Sequence, residues 1–244
     1  MLMFMSDNVK RPNKEVIDFL RQTPTAIISD AFKRLGLKAE FLYMVDVYPV
    51  VPSNAEIHVA GPAVTMKMVS HTATYSHLEF PIKMGTKRHF EIVESISHPG
   101  DVVVIDGEGS KTAVWGEHMT MLAKGLGLEC LVTDGYIRDI VGNQKLGFPL
   151  FARGRTMISY VTYLNPIQSN VPIQCGGAFV KPGDLVVGDN DGVVVIPDEK
   201  RDIILEEARK GIELENEEKR LIRERKFTAK DMYEWAHRKK YAKL

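Results

Sequence analysis

The sequence predicts an α/β fold, and two observations carry the prediction. Between Asp101 and Ala152, β-branched runs alternate with helical stretches: strand 101 to 106, helix Glu117 to Lys124, strand Cys130 to Thr133, helix Asp139 to Lys145, strand Pro149 to Ala152. That order calls for parallel strands joined by helical crossovers. The second observation is an internal echo. Pro99-Gly100-Asp101 precedes Val102 to Asp106, and Pro182-Gly183-Asp184 precedes Leu185 to Asp189. Proline then glycine suits the centre of a type II turn, so both are turn-into-strand units in a layered β structure.

Taken in order, Asn13 is placed to cap a helix from Lys14 to Gln22, and Thr25 to cap a second from Ala26 to Leu35, with Gly36 to stop it. Val59 to Met68 reads as a strand with Gly61-Pro62 at a bend or an edge. Phe90 to Ile96 reads as a short helix. After the α/β alternation, Ile158 to Tyr163 and Pro172 to Phe179 read as strands, and Asp189-Asn190-Asp191-Gly192 as a hairpin turn into Val193 to Ile196. Asp198 to Arg225 is a charged helix with little apolar surface, the character of a solvated arm or a subunit contact, and Asp231 to Lys239 a further short helix.

These elements divide the chain into an α/β domain, residues 1–197, and a helical extension, 198–244, within a total of 244 residues. The 32 basic and 32 acidic side chains cancel, so the overall balance points neither to nucleic acid nor to a membrane surface. Cys130 and Cys175 sit in apolar or glycine-rich stretches, as buried free thiols do, which suits a reducing compartment. With no apolar run of membrane-spanning length and a polar, short start, the cytoplasm is the expected location.

Chemistry concentrates at two strand-to-helix junctions. At Gly135-Tyr136-Ile137-Arg138-Asp139, Arg138 offers a planar fork for a carboxylate and Asp139 a hard oxygen ligand. The plainer alternative is a surface ion pair that caps a helix. One crossover upstream, Gly116 lets an anion approach the helix that starts at Glu117. Glu117 there serves either the chemistry or the helix dipole, and His118 either as a base or as structure. Loops at the carboxyl ends of such strands face a common crevice.

Other patterns carry no function. Gly107 to Thr112 resembles a phosphate loop but has Ser110 where glycine must precede lysine. Asp189 to Gly192 lacks the spaced ligands of a calcium loop. His71, His77, His89 and His98 have no zinc spacing and read as surface or packing residues.

Six motifs stand in order along the chain: Gly61-Pro62-Ala63-Val64-Thr65, Pro99-Gly100-Asp101-Val102, Gly116-Glu117, Gly135 to Asp139, Leu146-Gly147-Phe148-Pro149, and Pro182-Gly183-Asp184 running to Asp191-Gly192-Val193. Together they resemble the RraA-like family, which includes 4-hydroxy-4-methyl-2-oxoglutarate aldolases. The match spans Thr25 to Glu215. The resemblance implies a layered β/β/α fold of swivelling-domain type, assembled as a homotrimer or hexamer with active sites between subunits. It implies that Arg138 binds the carboxylate of a small 2-oxo acid, that Asp139 holds Mg²⁺ or Mn²⁺ with water completing the shell, and that Glu117 lies beside that water shell. The amides after Gly116, from Glu117 through His118 to Met119, then help hold the substrate, and Glu215 of the C-terminal helix approaches a neighbour's site, with Glu213 and Glu217 as alternatives.

The chain departs from the family pattern at Gly142, where many members carry an acidic residue. The activity implied is that of a metal-dependent pyruvate aldolase with oxaloacetate decarboxylase side activity. The same family also contains regulators that bind a ribonuclease, and a lyase or hydratase for another 2-oxo sugar acid would keep the same site. Segment His71 to Arg88 is the least family-like and is expected to shape the choice of substrate.

Overall fold

The computed structural model describes residues 9–38, 41–52, 56–70, 86–224, 226 and 228–231. Segment 71–85 and nearly all of the second tail helix expected at Asp231 to Lys239 lie outside the described residues.

Two helices come first, α1 (Lys14–Leu20) and α2 (Thr25–Arg34). Asn13 caps α1 by accepting the Val16 amide at 3.1 Å. Thr25 does not cap α2. It is the first helical residue, and its amide and hydroxyl both donate at 2.8 Å to the Asp189 carboxylate, 164 positions away. A buried carboxylate satisfies two donors at once and faces the positive end of the helix dipole, so it outcompetes the local hydroxyl. Gly36 stops α2 as expected, at φ 64°, with the Leu37 amide returning to the Phe32 carbonyl.

The chain continues through β1 (Tyr48–Val51), β2 (His58–Ser70), α3 (Thr86–Ile96), β3 (Val102–Asp106), β4 (Ala113–Trp115), α4 (Glu117–Gly125), β5 (Cys130–Thr133), β6 (Tyr136–Ile137), α5 (Ile140–Leu146), β7 (Leu150–Ala152) and β8 (Gly154–Arg155). It closes with β9 (Leu164–Ser169), β10 (Ile173–Cys175), β11 (Ala178–Val180), β12 (Leu185–Asp189), β13 (Gly192–Ile196) and α6 (Arg201–Arg223). The main sheet runs β1-β7-β5-β3-β2-β12-β13, with β9 joining the far end of β2.

The two Pro-Gly-Asp turns are built alike. Gly100 and Gly183 sit at φ 87° and 89°, the amides of Asp101 and Asp184 return to His98 and Lys181, and each aspartate carboxylate accepts the amide three residues back at 2.8 Å. Both feed strands that pair with β2. Residues 58–62 of β2 pair antiparallel with β12, and 63–67 parallel with β3. Gly61-Pro62 therefore lies at neither a bend nor an edge. It sits inside a continuous strand where the partner changes, and the space a side chain at Gly61 would need is filled by the Gly100 carbonyl.

Two expected strands differ. Residues 158–163 hold a 3-10 turn at Tyr160–Thr162, with strand pairing delayed to β9; the Tyr163 amide closes onto the Tyr160 carbonyl, so β-branched composition there yields to a local turn. The strand expected over Pro172 to Phe179 is split into the β10-β11 hairpin by Gly176-Gly177, at φ 57° and 90°, as a primed turn demands.

Alternation along the strands divides the interior. Val103, Ile105, Leu131 and Leu150 face a core covered by α3 and α4. Val102, Val104, Val132 and Phe151 face a second core inside the curled sheet, beneath the β10-β11 hairpin. Leu185, Val187 and Ile196 face α1, α2 and the start of α6. The first half of α6 is thus less solvated than its charge implies: Ile204, Leu205 and Ala208 are buried, and Arg34 on α2 bonds Glu207 at 2.6 Å. No helix among the described residues is long and apolar enough to cross a membrane.

Beyond its carboxyl end, each of β3, β5 and β7 steps into one strand of a small parallel sheet, β4-β6-β8. The steps are stitched by the Tyr136 amide to the Thr112 carbonyl and the Arg153 amide to the Gly135 carbonyl. This second sheet carries the start of α4 and of α5 to one place.

Candidate functional site

The two junctions expected to meet do meet. The Arg138 amide donates to the Trp115 carbonyl at 2.9 Å, which ties the end of β6 to the end of β4. Buried Asn143 holds the turn from behind, its Nδ2 donating to the Arg138 carbonyl at 2.7 Å. The Arg138 and Asp139 side chains, each 43% exposed, then lie against Gly116. A Cβ at Gly116 would stand 2.6 Å from Asp139 Oδ2 and 3.1 Å from Arg138 Nε, so glycine is what admits both groups.

Asp139 occupies the N-cap position of α5, at φ 58° and ψ 43°, yet makes no side-chain cap bond. Its Oδ2 accepts the Glu117 amide of α4 at 3.2 Å and lies 3.5 Å from Arg138 Nε. A left-handed backbone at a residue other than glycine costs about 1 kcal/mol or more. Here it turns the carboxylate away from its own helix and toward the neighbouring one. The ion-pair and helix-capping alternative is thus met in a changed form: the Asp139 side chain pairs with Arg138 and accepts the first amide of α4, not an amide of the helix it begins.

Glu117 opens α4 behind Gly116, and its carboxylate lies over Gly142 of α5, in the space a side chain there would fill. Gly116, His118, Met119, Arg138 and Asp139 border a cavity of about 250 Å³. Glu117 and Glu215 do not border it: the Glu117 carboxylate lies toward Gly142, and Glu215, on α6, pairs with Lys219 at 2.8 Å.

Among the cavity residues that carried no functional signal in the sequence are His89 on α3, Tyr160 in the 3-10 turn, and Trp115 for its ring. His89 stands edge-on to Trp115 at 5.9 Å and to Tyr160 at 5.3 Å. Trp115 is fixed by its Nε1 donating to Thr120 Oγ1 at 2.8 Å. Burial lowers the His89 pKa to about 3 and raises that of the Tyr160 phenol, so both are neutral at neutral pH. His89 is a packing residue, as expected, but one placed at the wall of the site. The pairing of histidine with aromatic residues 26 and 71 positions away in sequence has no local signature.

Comparison with known proteins decides the family. The Aldolase/RraA model of the RraA-like family matches residues 25–195. The chain belongs to the Aldolase/RraA family. A Halalkalibacterium halodurans protein named "Putative 4-hydroxy-4-methyl-2-oxoglutarate aldolase" is 38% identical over 199 residues, covering 80% of this chain and 83% of that protein. Among solved structures, Streptomyces coelicolor RraAS2, described as an unusual member of the RNase ES inhibitor RraA protein family, matches with a TM-score of 0.70 at 27% identity, covering 86% of this chain and 98% of that one. A Pseudomonas syringae protein described as uncharacterized matches at 0.69 and 27%, covering 88% and 93%. The layered fold expected from the sequence, with its C-terminal helix, is therefore that of the family.

Proposed function

We propose that this chain is a lyase that depends on a divalent metal and cleaves 4-hydroxy-2-oxo acids to pyruvate. The observation that carries the reading is the meeting of the Arg138 guanidinium and the Asp139 carboxylate at Gly116, on the wall of one cavity and at the start of α4.

The donors present fit a hydrated Mg²⁺ or Mn²⁺. Asp139 is a hard oxygen ligand, partly exposed, with one amide on Oδ2. Among the described residues no group of three or more His, Cys, Asp and Glu gathers in a way that holds a metal, so the ion that suits Asp139 is one that retains most of its water. When bound, the ion supplies positive charge where negative charge builds on the 2-oxo oxygen as the carbon-carbon bond breaks.

The chain's own residues do the rest. Arg138 grips the substrate carboxylate through two parallel N–H···O bonds. The first-turn amides of α4 at His118 and Met119, which have no partner within the helix, orient the substrate's oxygens. The 4-hydroxyl proton leaves through water toward the Glu117 carboxylate. The O–H pair becomes the new carbonyl, and the carbon-carbon pair stays on the pyruvate half, which takes up a proton. The same charge stabilisation serves loss of CO₂ from oxaloacetate. Glu215 serves a second copy's site in a homotrimer or hexamer. Buried thiols at Cys130 and Cys175 suit a reducing cytoplasm.

Coupled pyruvate release from a panel of 4-hydroxy-2-oxo acids and oxaloacetate, with Mg²⁺ and with chelator, tests the reading. Turnover abolished by chelation is expected. Silence across the panel, together with tight binding of a ribonuclease, would replace the enzyme with a regulator.

A further inference from the structure

We infer that Asn143 is a positioning residue for this site: it holds the peptide units on both sides of Asp139 and so keeps the Asp139 carboxylate turned toward α4 and ready for the metal. The inference rests on the metal-dependent reading above and deepens it with a residue that lies outside the cavity lining.

The backbone angles of a residue are set by the planar peptide unit before it and the one after it. For Asp139 these units carry the Arg138 and Asp139 carbonyls. The Asn143 side chain donates through Nδ2 to the first at 2.7 Å, and the Asn143 backbone amide donates to the second at 2.9 Å. One residue therefore grips both. The chain is fixed one step earlier as well, where the Arg138 amide donates to the Trp115 carbonyl at 2.9 Å. Arg138 and Asp139 are bracketed by the end of β4 on one side and by Asn143 on the other.

The bracket matters because Asp139 stands in a conformation it would not hold unaided. Its φ of 58° is left-handed, which persists at a residue other than glycine when the surroundings over-determine it. An aspartate that begins a helix ordinarily has an extended backbone and caps that same helix. Without the Nδ2 bond the Arg138 carbonyl loses its partner. Rotation of that peptide unit toward the ordinary capping geometry then swings the Asp139 carboxylate off the Glu117 amide, which it now accepts at 3.2 Å.

Asparagine is otherwise a poor choice at this position. It is fully buried in the middle of α5, where leucine favours helix more. Its Oδ1 is buried with no hydrogen-bond partner among the described residues, so that half of the side-chain amide has lost water and gained nothing. The half that is used is used on the turn that carries the site.

Asn143→Leu, of similar volume, and Asn143→Ala both remove the donor. Crystal structures, thermal melts and calorimetric titration of Mn²⁺ into the intact chain compare both variants with wild type. The Asp139 carboxylate is expected to part from the Glu117 amide as φ leaves the left-handed region, and the Kd for Mn²⁺ to rise by about 10- to 100-fold, as for other residues that orient a metal ligand. The Tm of the leucine variant is expected to be unchanged or raised, which a purely structural asparagine would not allow. An unmoved Asp139 in both variants, an Mn²⁺ affinity equal to that of a binding wild type, or loss of folding in both variants would overturn the inference. A wild type that binds no Mn²⁺ would remove the metal reading alone, since the Asp139 conformation in the variants still decides the role of Asn143.

Discussion

Asp139 and Glu117 are joined across two helices: the Asp139 carboxylate accepts the Glu117 backbone amide at 3.2 Å, while the Glu117 side chain passes over Gly142 of the helix that Asp139 begins. Each residue stands at the first turn of one helix and is engaged by the other. The two acidic groups and Arg138 are therefore tied to the α4 and α5 termini, and a side chain added at Gly116 or Gly142 displaces them.

Gly142 lies within a helix, where glycine costs about 1 kcal/mol relative to alanine. Gly142→Ala removes that cost but places a methyl group where the Glu117 carboxylate lies. The expected outcome is a Tm unchanged or slightly raised, with kcat reduced by roughly tenfold as Glu117 is displaced. Steady-state kinetics beside a thermal melt checks this, and wild-type kcat would detach Glu117 from the proton transfer.

Arg138→Lys keeps the charge and loses the planar fork. Its backbone ties to Trp115 and Asn143 do not involve the side chain, so folding is expected to be intact. A fall in kcat/KM of about 10- to 100-fold, dominated by KM, is predicted from loss of one of two parallel carboxylate bonds. Kinetics equal to wild type would remove Arg138 from substrate binding.

Two buried groups set opposite pH dependences. Burial, reinforced by nearby Asp134 and Glu108, raises Asp106 from 3.8 to about 6, against the Glu108 amide bond and Lys67. The folded state holds that proton more tightly than the unfolded chain, so the stability it contributes is complete below about 3.8 and lost as pH rises through 6. The loss is at most about 3 kcal/mol. Asp106→Asn should raise Tm at pH 8 by several degrees and leave it nearly unchanged at pH 4. Burial lowers His89 from 6.5 to about 3, so its contribution is present above 6.5 and lost as pH falls toward 3. His89→Phe, which keeps a ring against Trp115 and Tyr160, should lessen the fall in Tm between pH 7 and pH 4. Parallel pH–Tm curves for wild type and both variants would contradict these assignments.

What the sequence disclosed follows the range of the interactions involved. The Pro-Gly-Asp turns, the Val102–Asp106 strand and the Asn13 cap are decided within a few residues, and they were legible. The Thr25 cap was misread because its partner, Asp189, comes from a distant strand. The 3-10 turn at Tyr160–Thr162 was misread because composition there favours a strand while local bonding closes a turn. At the site, Gly116, Arg138 and Asp139 were legible as junction residues on successive crossovers. The inverted role of the Asp139 side chain was not, since it depends on a positive φ and on an amide from another helix. Nor was the His89 wall, which exists only through tertiary packing.

The central claim is that Asp139 holds the metal ion. Calorimetric titration of Mn²⁺ into wild type and Asp139→Asn, with Tm measured on both, tests it most directly. Asparagine also tolerates the left-handed backbone, so the variant is expected to fold with little change in Tm. Wild type is predicted to bind one Mn²⁺ per chain, and Asp139→Asn to bind at least about 10-fold more weakly and to lose metal-dependent pyruvate release. Unchanged Mn²⁺ affinity in the variant would contradict the account.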